Sequence, residues 1–509
     1  MHRIKNIKLA AIVVLISTLT CITFADVSVP GIFSDNMVLQ RNINIKVWGW
    51  ADANEKVTVT LSEKQVSTTT DAQGNWSVKL PPFKASDPLI MTIKGNNEIV
   101  FENVLIGEVW ICSGQSNMQL GIASVLNAEE EIKNADYPSI RLYSVPQRIS
   151  GTARPDLDSR WVVCNPKNIS NRWSSFSAVA YFFGREIYEK INVPIGLINS
   201  SWGGSHIEAW IPEDGFSFSP KLRDLAKFTK DTNKKYRKKL KENLDATDKK
   251  PNCFGVPFVM PKHPFDVAGG TYPTNPTCLY NSMINPIVPY GIAGAIWYQG
   301  ESNRQDGMLY YEKTNAMIGS WRNIWQQGDF PFYYVQLAPL HQGQHYKDDQ
   351  LPKLWEAQVE ALKIKNTGMA VTTDLVNDLW DIHPKNKQDV GKRLALWALA
   401  KTYDQKDIVY SGPLYKKMKV KGDKIIISFD HADSGLTTRD GKEPDYFEIA
   451  GKNKKFVKAK AIIEDQTLIV YSEEIKDPTA VRFAWNQQAM PNLCNMEKLP
   501  ASPFRTDRW

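Results

Sequence analysis

The sequence predicts an α/β protein with a parallel sheet, flanked by N-terminal and C-terminal β-sandwich-like regions. Three observations carry this. From about residue 106 to 404, apolar runs suited to buried strands alternate with segments of 3.6-residue apolar period, the pattern of a parallel sheet covered on both faces. On either side, short stretches of alternating polarity are separated by turn residues, as in antiparallel β-structure. The 509 residues exceed one ordinary domain, and a composition 42% hydrophobic and 23% charged can bury sizeable cores.

Residues 1–25 read as a signal peptide. His2, Arg3, Lys5 and Lys8 precede the apolar run Leu9–Ile16, and Thr23-Phe24-Ala25 offers a cleavage site near Ala25. A secreted or periplasmic protein is expected. A lipoprotein signal ending at Cys21 fits less well, because Thr18-Leu19-Thr20 lacks a small residue before the cysteine. No later stretch is apolar enough for a membrane span. Cleavage removes Arg3, Lys5 and Lys8, taking the formal charge from +7 to +4, which gives no reason to expect nucleic acid as a partner. Cysteines fall from six to five, and Cys112, Cys164, Cys253, Cys278 and Cys494 show neither a disulfide framework nor zinc-ligand spacing. Cys112, inside an apolar run, reads as a small buried residue.

Residues 26–105 form an N-terminal β-domain, with Ile45 and Val47, then Val57, Val59 and Leu61, then Trp76, Val78 and Leu80 alternating across turns such as Asp71-Ala72-Gln73-Gly74-Asn75. The α/β region, 106–404, has strand runs at Val104–Cys112, Ile140–Val145, Ile195–Asn199, Ile292–Gln299, Phe332–Leu337 and Met369–Asp374. Val179, Phe182, Phe183, Ile187 and Ile191 mark one helix face; Val390, Leu394, Trp397 and Ala398 mark another, with Asn386 as its cap. An insertion at about 213–270 holds the basic run Lys234–Lys239, read as a solvated helix face with Tyr236, Leu240 and Leu244 on the other side. The C-terminal β-region, 405–509, has strands at Ile425–Phe429, Ala459–Ile463, Thr467–Tyr471 and Val481–Trp485.

In a parallel sheet, ligands bind beyond the carboxyl ends of the strands. Four polar loops fall there. Ser113-Gly114-Gln115-Ser116-Asn117-Met118 follows the first strand and presents Ser116 as a nucleophile. Such a turn alone is usually a mere polar connection, so partners must carry the assignment. His383 is one of seven histidines, and Pro384 holds it in extended backbone outside the following helix, which suits a general base. A carboxylate must orient it: Asp381 is the first choice and Asp378 the second. Gly203-Gly204 offers backbone N–H groups to an oxyanion, together with that of Ser116 itself, and Gln299 or Asn303 an amide donor. Glu301, acidic, suits bracing a loop or meeting a substrate hydroxyl, and Gln115 and Asn117 are placed to contact substrate. No metal or cofactor is called for.

Four blocks in order, Gly114–Met118, Ser201-Trp202-Gly203-Gly204-Ser205, Trp297-Tyr298-Gln299-Gly300-Glu301-Ser302-Asn303 and Asp381-Ile382-His383-Pro384, resemble those of the sialate O-acetylesterase family of SGNH (GDSL-like) hydrolases. Phe33–Gln40 and Leu499–Asp507 extend the resemblance over nearly the whole mature chain. It implies a flavodoxin-like SGNH hydrolase core, a serine esterase removing O-acetyl groups from sialic acids or, alternatively, acetylxylan and other plant glycans, with Ser116 as nucleophile and His383 as base. The superfamily commonly has Asp three residues before the histidine, where this chain has Trp380, and Met118 breaks the Gly-x-Ser-x-Gly elbow. The rival from another class is a non-catalytic glycan-binding protein. Nothing in the sequence sets the oligomeric state.

Overall fold

A computed structural model describes residues 26–170, 175–248, 260–267, 273–341 and 347–509. Residues 1–25, read above as a signal peptide, lie outside them. Seven strands form the central path: β1 (Glu98–Gly114), β2 (Tyr137–Ser144), β3 (Trp161–Cys164), β4 (Ile195–Ser201), β5 (Gly294–Tyr298), β6 (Phe332–Val335) and β7 (Thr367–Ala370), in the order β7-β6-β5-β1-β4-β2-β3. Every neighbouring pair is parallel except β2–β3. The order reverses at β1, whose neighbours β4 and β5 lead away on opposite sides, so a crevice opens beyond its carboxyl end.

Besides short helices at Ala128–Lys133 and Pro166–Ile169, the α-helices among the described residues are α1 (Ser116–Gln119), α2 (Ala178–Ile191), α3 (Arg223–Asp248), α4 (Leu309–Trp325), α5 (Gln350–Glu360) and α6 (Lys387–Lys401). Every residue of β5 is buried, which requires cover on both faces. The pairs α2 with α6 and α4 with α5 provide it. Helix α2 buries Val179, Phe182, Phe183 and Ile187, the face the periodicity predicts. Helix α6 begins behind Asn386, whose side chain accepts from the Asp389 N–H. In α3 Tyr236 is buried against the His263 ring while Lys234, Lys235, Lys238 and Lys239 are exposed.

Three differences from the sequence reading have local causes. Strand β7 ends at Ala370 rather than Asp374, because beyond it Arg393 of α6 takes the Val371 carbonyl at 2.7 Å and both Asp374 oxygens at 2.6 Å. Strand β3 went unpredicted: four residues at a sheet edge carry too little pattern. The N-terminal strands are also joined to the central sheet. Lys56–Leu61, Lys64–Thr69 and Ser86–Lys94 connect to the first half of β1, which runs unbroken through residue 105, and Val59, Val104 and Trp110 belong to one apolar core. Ile45–Trp50 and Asn75–Leu80 pair as a separate two-stranded sheet.

After residue 405, two four-stranded sheets surround a second core built on Ile425, Ile427, Leu468, Val470, Val481 and Phe483. Arg505 ties this region to α5 through Glu356, at 2.9 and 3.1 Å. Cys112, Cys164, Cys278 and Cys494 are buried free thiols; Cys253 lies outside the described residues. Among the described residues no helix is long and apolar enough to cross a membrane.

Candidate active site

The Ser116 loop exists because β1 ends in glycine. Gly114 has φ 142°, and a Cβ there would sit 2.1 Å from the Tyr298 carbonyl oxygen. Only glycine lets β1 stay paired with β5 to its last residue, after which the Gln115 N–H donates to the same carbonyl at 3.0 Å. The chain then turns into α1, leaving Ser116 half-buried as its first residue while Asn117 and Met118 point inward. The Gln115 carbonyl oxygen Oε1 accepts from the Gly300 and Ser302 N–H groups, each at 3.4 Å, holding the third loop against the first.

Asn117 fastens three loops together. Its Nδ2 donates to Glu301 Oε1 at 2.5 Å and to the Ile382 carbonyl at 2.9 Å, and its Oδ1 accepts from Lys387 Nζ at 2.6 Å. At 1% exposure it has internal partners in place of the expected substrate contact. Lys387 is fully buried over the Tyr298 ring, and burial pulls its amine down to about 7 against the raising influence of Glu301 and Asp381. Burial pushes the Glu301 carboxyl up. Glu301 is thus tied to the other loops through Asn117 while also bordering the cavity described next.

The bond from Asn117 to Ile382 brings the residue after Ser116 against the residue before His383. Ser116 and His383 line the same cavity, of about 670 Å³, together with Gln115, Gly204, Glu301 and Asn303. His383 is held below the usual histidine range, first by burial and then by the Lys387 charge, with Asp381 acting in opposition. One Asp381 oxygen accepts the His383 backbone N–H at 2.8 Å. Asp378 is exposed and its Oδ1 accepts the Trp380 N–H at 2.9 Å, so Asp381 is the carboxylate whose field reaches the imidazole.

The expected oxyanion donors fall into two groups, those already bonded and those free. The Gly203 N–H already donates to Gln119 Oε1 at 2.7 Å. Gln299 is fully buried, its Nε2 donating to the Ser205 carbonyl at 3.0 Å and Asn303 Oδ1 at 2.7 Å. Asn303 Nδ2 donates to Glu208 and Asp306, each at 2.9 Å. Both hydrogens of each amide are committed, so neither side chain offers the donor the sequence reading gave it. Gly204, at φ 69°, and Ser116 retain backbone N–H groups without a hydrogen-bond partner among the described residues. Beyond Asn303, the buried Lys313 amine pairs with Glu208 at 2.5 Å and Asp306 at 2.6 Å.

Sequence reasoning missed Lys387, Gln119 and the Glu208–Lys313–Asp306 cluster. Lys387 looks like any first-turn lysine of a surface helix, and only the fold shows that turn buried. Glu208 and Lys313 stand far apart in sequence with nothing to pair them. Among the described residues no group of three or more His, Cys, Asp or Glu is arranged to hold a metal ion.

The family model described as carbohydrate esterase, sialic acid-specific acetylesterase matches residues 106–250 and 268–400. The chain belongs to this family. The sialate O-acetylesterases of Mus musculus and Homo sapiens are each 30% identical to it, the mouse protein over 93% of both chains and the human over 92% of this chain and 91% of its own. A carbohydrate acetylesterase from Xanthomonas citri superposes with a TM-score of 0.80 at 33% identity, covering 95% of this chain and 100% of its own. The protein is accordingly a carboxylic ester hydrolase of the carbohydrate O-acetylesterase class, which sets aside the non-catalytic glycan-binding reading.

Proposed function

We propose that Ser116 is the nucleophile of this esterase, His383 its base and Asp381 the residue that holds His383, on an SGNH-type core spanning about residues 106–404. The observation that carries it is the Asn117–Ile382 bond, which clamps the serine and histidine loops together at one cavity beyond the switch in strand order.

In this reading Ser116 Oγ attacks the acetyl carbonyl carbon while His383 takes the hydroxyl proton. The Ser116 and Gly204 N–H groups receive the oxyanion; Gly203 contributes by holding Gln119 in place. The sugar C–O oxygen leaves with the proton from His383, giving an acetyl-serine. A water then loses its proton to His383, attacks that ester and releases acetate, and His383 returns the proton to Ser116. Gln115 and Glu301 border the cavity without joining the proton transfers.

The named relatives support O-acetylated sialic acid as substrate, with acetylxylan and other plant glycans as the alternative. Export follows from the leader at residues 1–25, with cleavage near Ala25. Acetate release from a panel of acetylated sialic acids beside acetylated xylan decides between substrates. Ser116→Ala should reduce acetate release by several orders of magnitude while leaving the fold intact; retained activity would sink the assignment.

A further inference from the structure

Ser116 and His383 do not sit at the end of a pocket. They stand between two cavities. The first, described above, carries charge: Glu208, Glu301, Asp306 and Arg304 border it. A second, of about 740 Å³, opens on the other side and shares only Ser116 and His383 with the first. Its wall is made by Gln119, Ser124, Ser144, Gln147 and Asn199, with Leu120 and Pro146 adding apolar surface, and His383 is its only ionisable side chain among the described residues. The hydrogen bond from the Gly203 N–H to Gln119 crosses from one cavity to the other, since Gly203 borders the first and Gln119 the second.

The two spaces differ in what they can hold. Each is of the size that accommodates a small-molecule ligand, whereas an acetyl group fills only a small part of either. A terminal sugar recognised alone would need one closed pocket beyond the nucleophile. Here the crevice continues past it, lined by hydroxyl and amide groups whose donors and acceptors match sugar hydroxyls without countering a charge. Ser124, Ser144 and Gln147 are exposed and so open to a ligand, although Gln147 Nε2 also donates to the Ser201 carbonyl at 3.1 Å.

We infer that the second cavity is a binding subsite for an uncharged sugar adjoining the acetylated one, so that the enzyme acts on acetyl groups within a linked glycan in preference to free acetylated monosaccharides. The inference rests on the reading of Ser116 and His383 as the reacting pair. The acetyl ester lies at the junction, the acetylated sugar extends into the charged cavity, and the next sugar of the chain lies along Ser124, Ser144 and Gln147.

The test compares Ser124→Trp, which fills the second cavity from an exposed position, and Gln147→Ala, which removes an amide, with the wild type. Substrates are an aryl acetate, O-acetylated sialic acid free and in sialyllactose, and acetylated xylose beside acetylated xylo-oligosaccharide. In whichever pair is turned over, KM for the linked substrate should rise about tenfold or more in Ser124→Trp and by a smaller factor in Gln147→Ala. Rates on the aryl acetate and the free sugar should stay within about twofold. Equal losses on all substrates in Ser124→Trp would assign the cavity to the acetyl group or to water and overturn the subsite. Unchanged KM for the linked substrate in both variants would overturn it as well. Undiminished aryl acetate hydrolysis by Ser116→Ala would instead overturn the reading of the reacting pair.

Discussion

His383 sits between a cation and a carboxylate that act on it in opposite directions. Burial and Lys387 lower its proton affinity, and Asp381 raises it. In its proposed role as base His383 must be unprotonated, so a lowered value would keep the enzyme active below the ordinary histidine range of about 6.5. Removing the cation in Lys387→Met should move the acidic limb of the kcat/KM profile to higher pH. Asp381→Asn should move that limb to lower pH and, with Asp381 in the role proposed for it, also reduce kcat by about 10²–10⁴-fold. Asp378→Asn should leave both unchanged, which a pH-rate profile on an aryl acetate reads directly. That Ser116 and His383 meet at one cavity was legible in the sequence, because a hydroxyl after an apolar run and a histidine before proline leave local marks at the carboxyl ends of strands. Asn117 and Lys387 were not, because their importance comes from burial among three loops that only the fold assembles.

At the scale of elements, the end of β1 fixes the geometry of the site. Gly114→Ala places a methyl group against the Tyr298 carbonyl at a backbone angle that side-chain-bearing residues rarely adopt. It should cost about 1–3 kcal/mol or more in urea unfolding and reduce kcat, since relief of the clash must separate the serine loop from β5. Asn117→Ala leaves the Lys387 amine and Glu301 carboxyl without their shared partner, so about 1–3 kcal/mol of stability should be lost. Its kcat should fall too, because the His383 loop is no longer tied to α1. The strands at Ile195, Gly294 and Phe332 were readable as unbroken apolar runs, and α2 and α6 from their period. The oxyanion amides were misread because Gln299 and Asn303 have the right chemistry in the right loop, yet buried carbonyls and carboxylates claim their hydrogens first.

Over the whole molecule, β1 joins the N-terminal strands to the catalytic sheet in one core, while the C-terminal strands enclose another. Phe483 lies fully buried in the second core, stacked on Phe447 at 4.6 Å. Phe483→Ala should destabilise that region by about 3–5 kcal/mol, seen in thermal unfolding, with kcat at low temperature close to wild type. The α/β class and both β-rich ends were legible from period and turn residues. The continuity across residue 105 was not, because a strand shared between two sheet regions has the same alternating and apolar signals as two strands in succession.

The central claim is that Ser116 attacks the acetyl ester. Peptide mass spectrometry after inactivation by a serine-directed phosphonate tests it most directly. The account predicts one adduct, on Ser116, formed in proportion to lost activity; inactivation with Ser116 unmodified, or with the adduct on another residue, would contradict it.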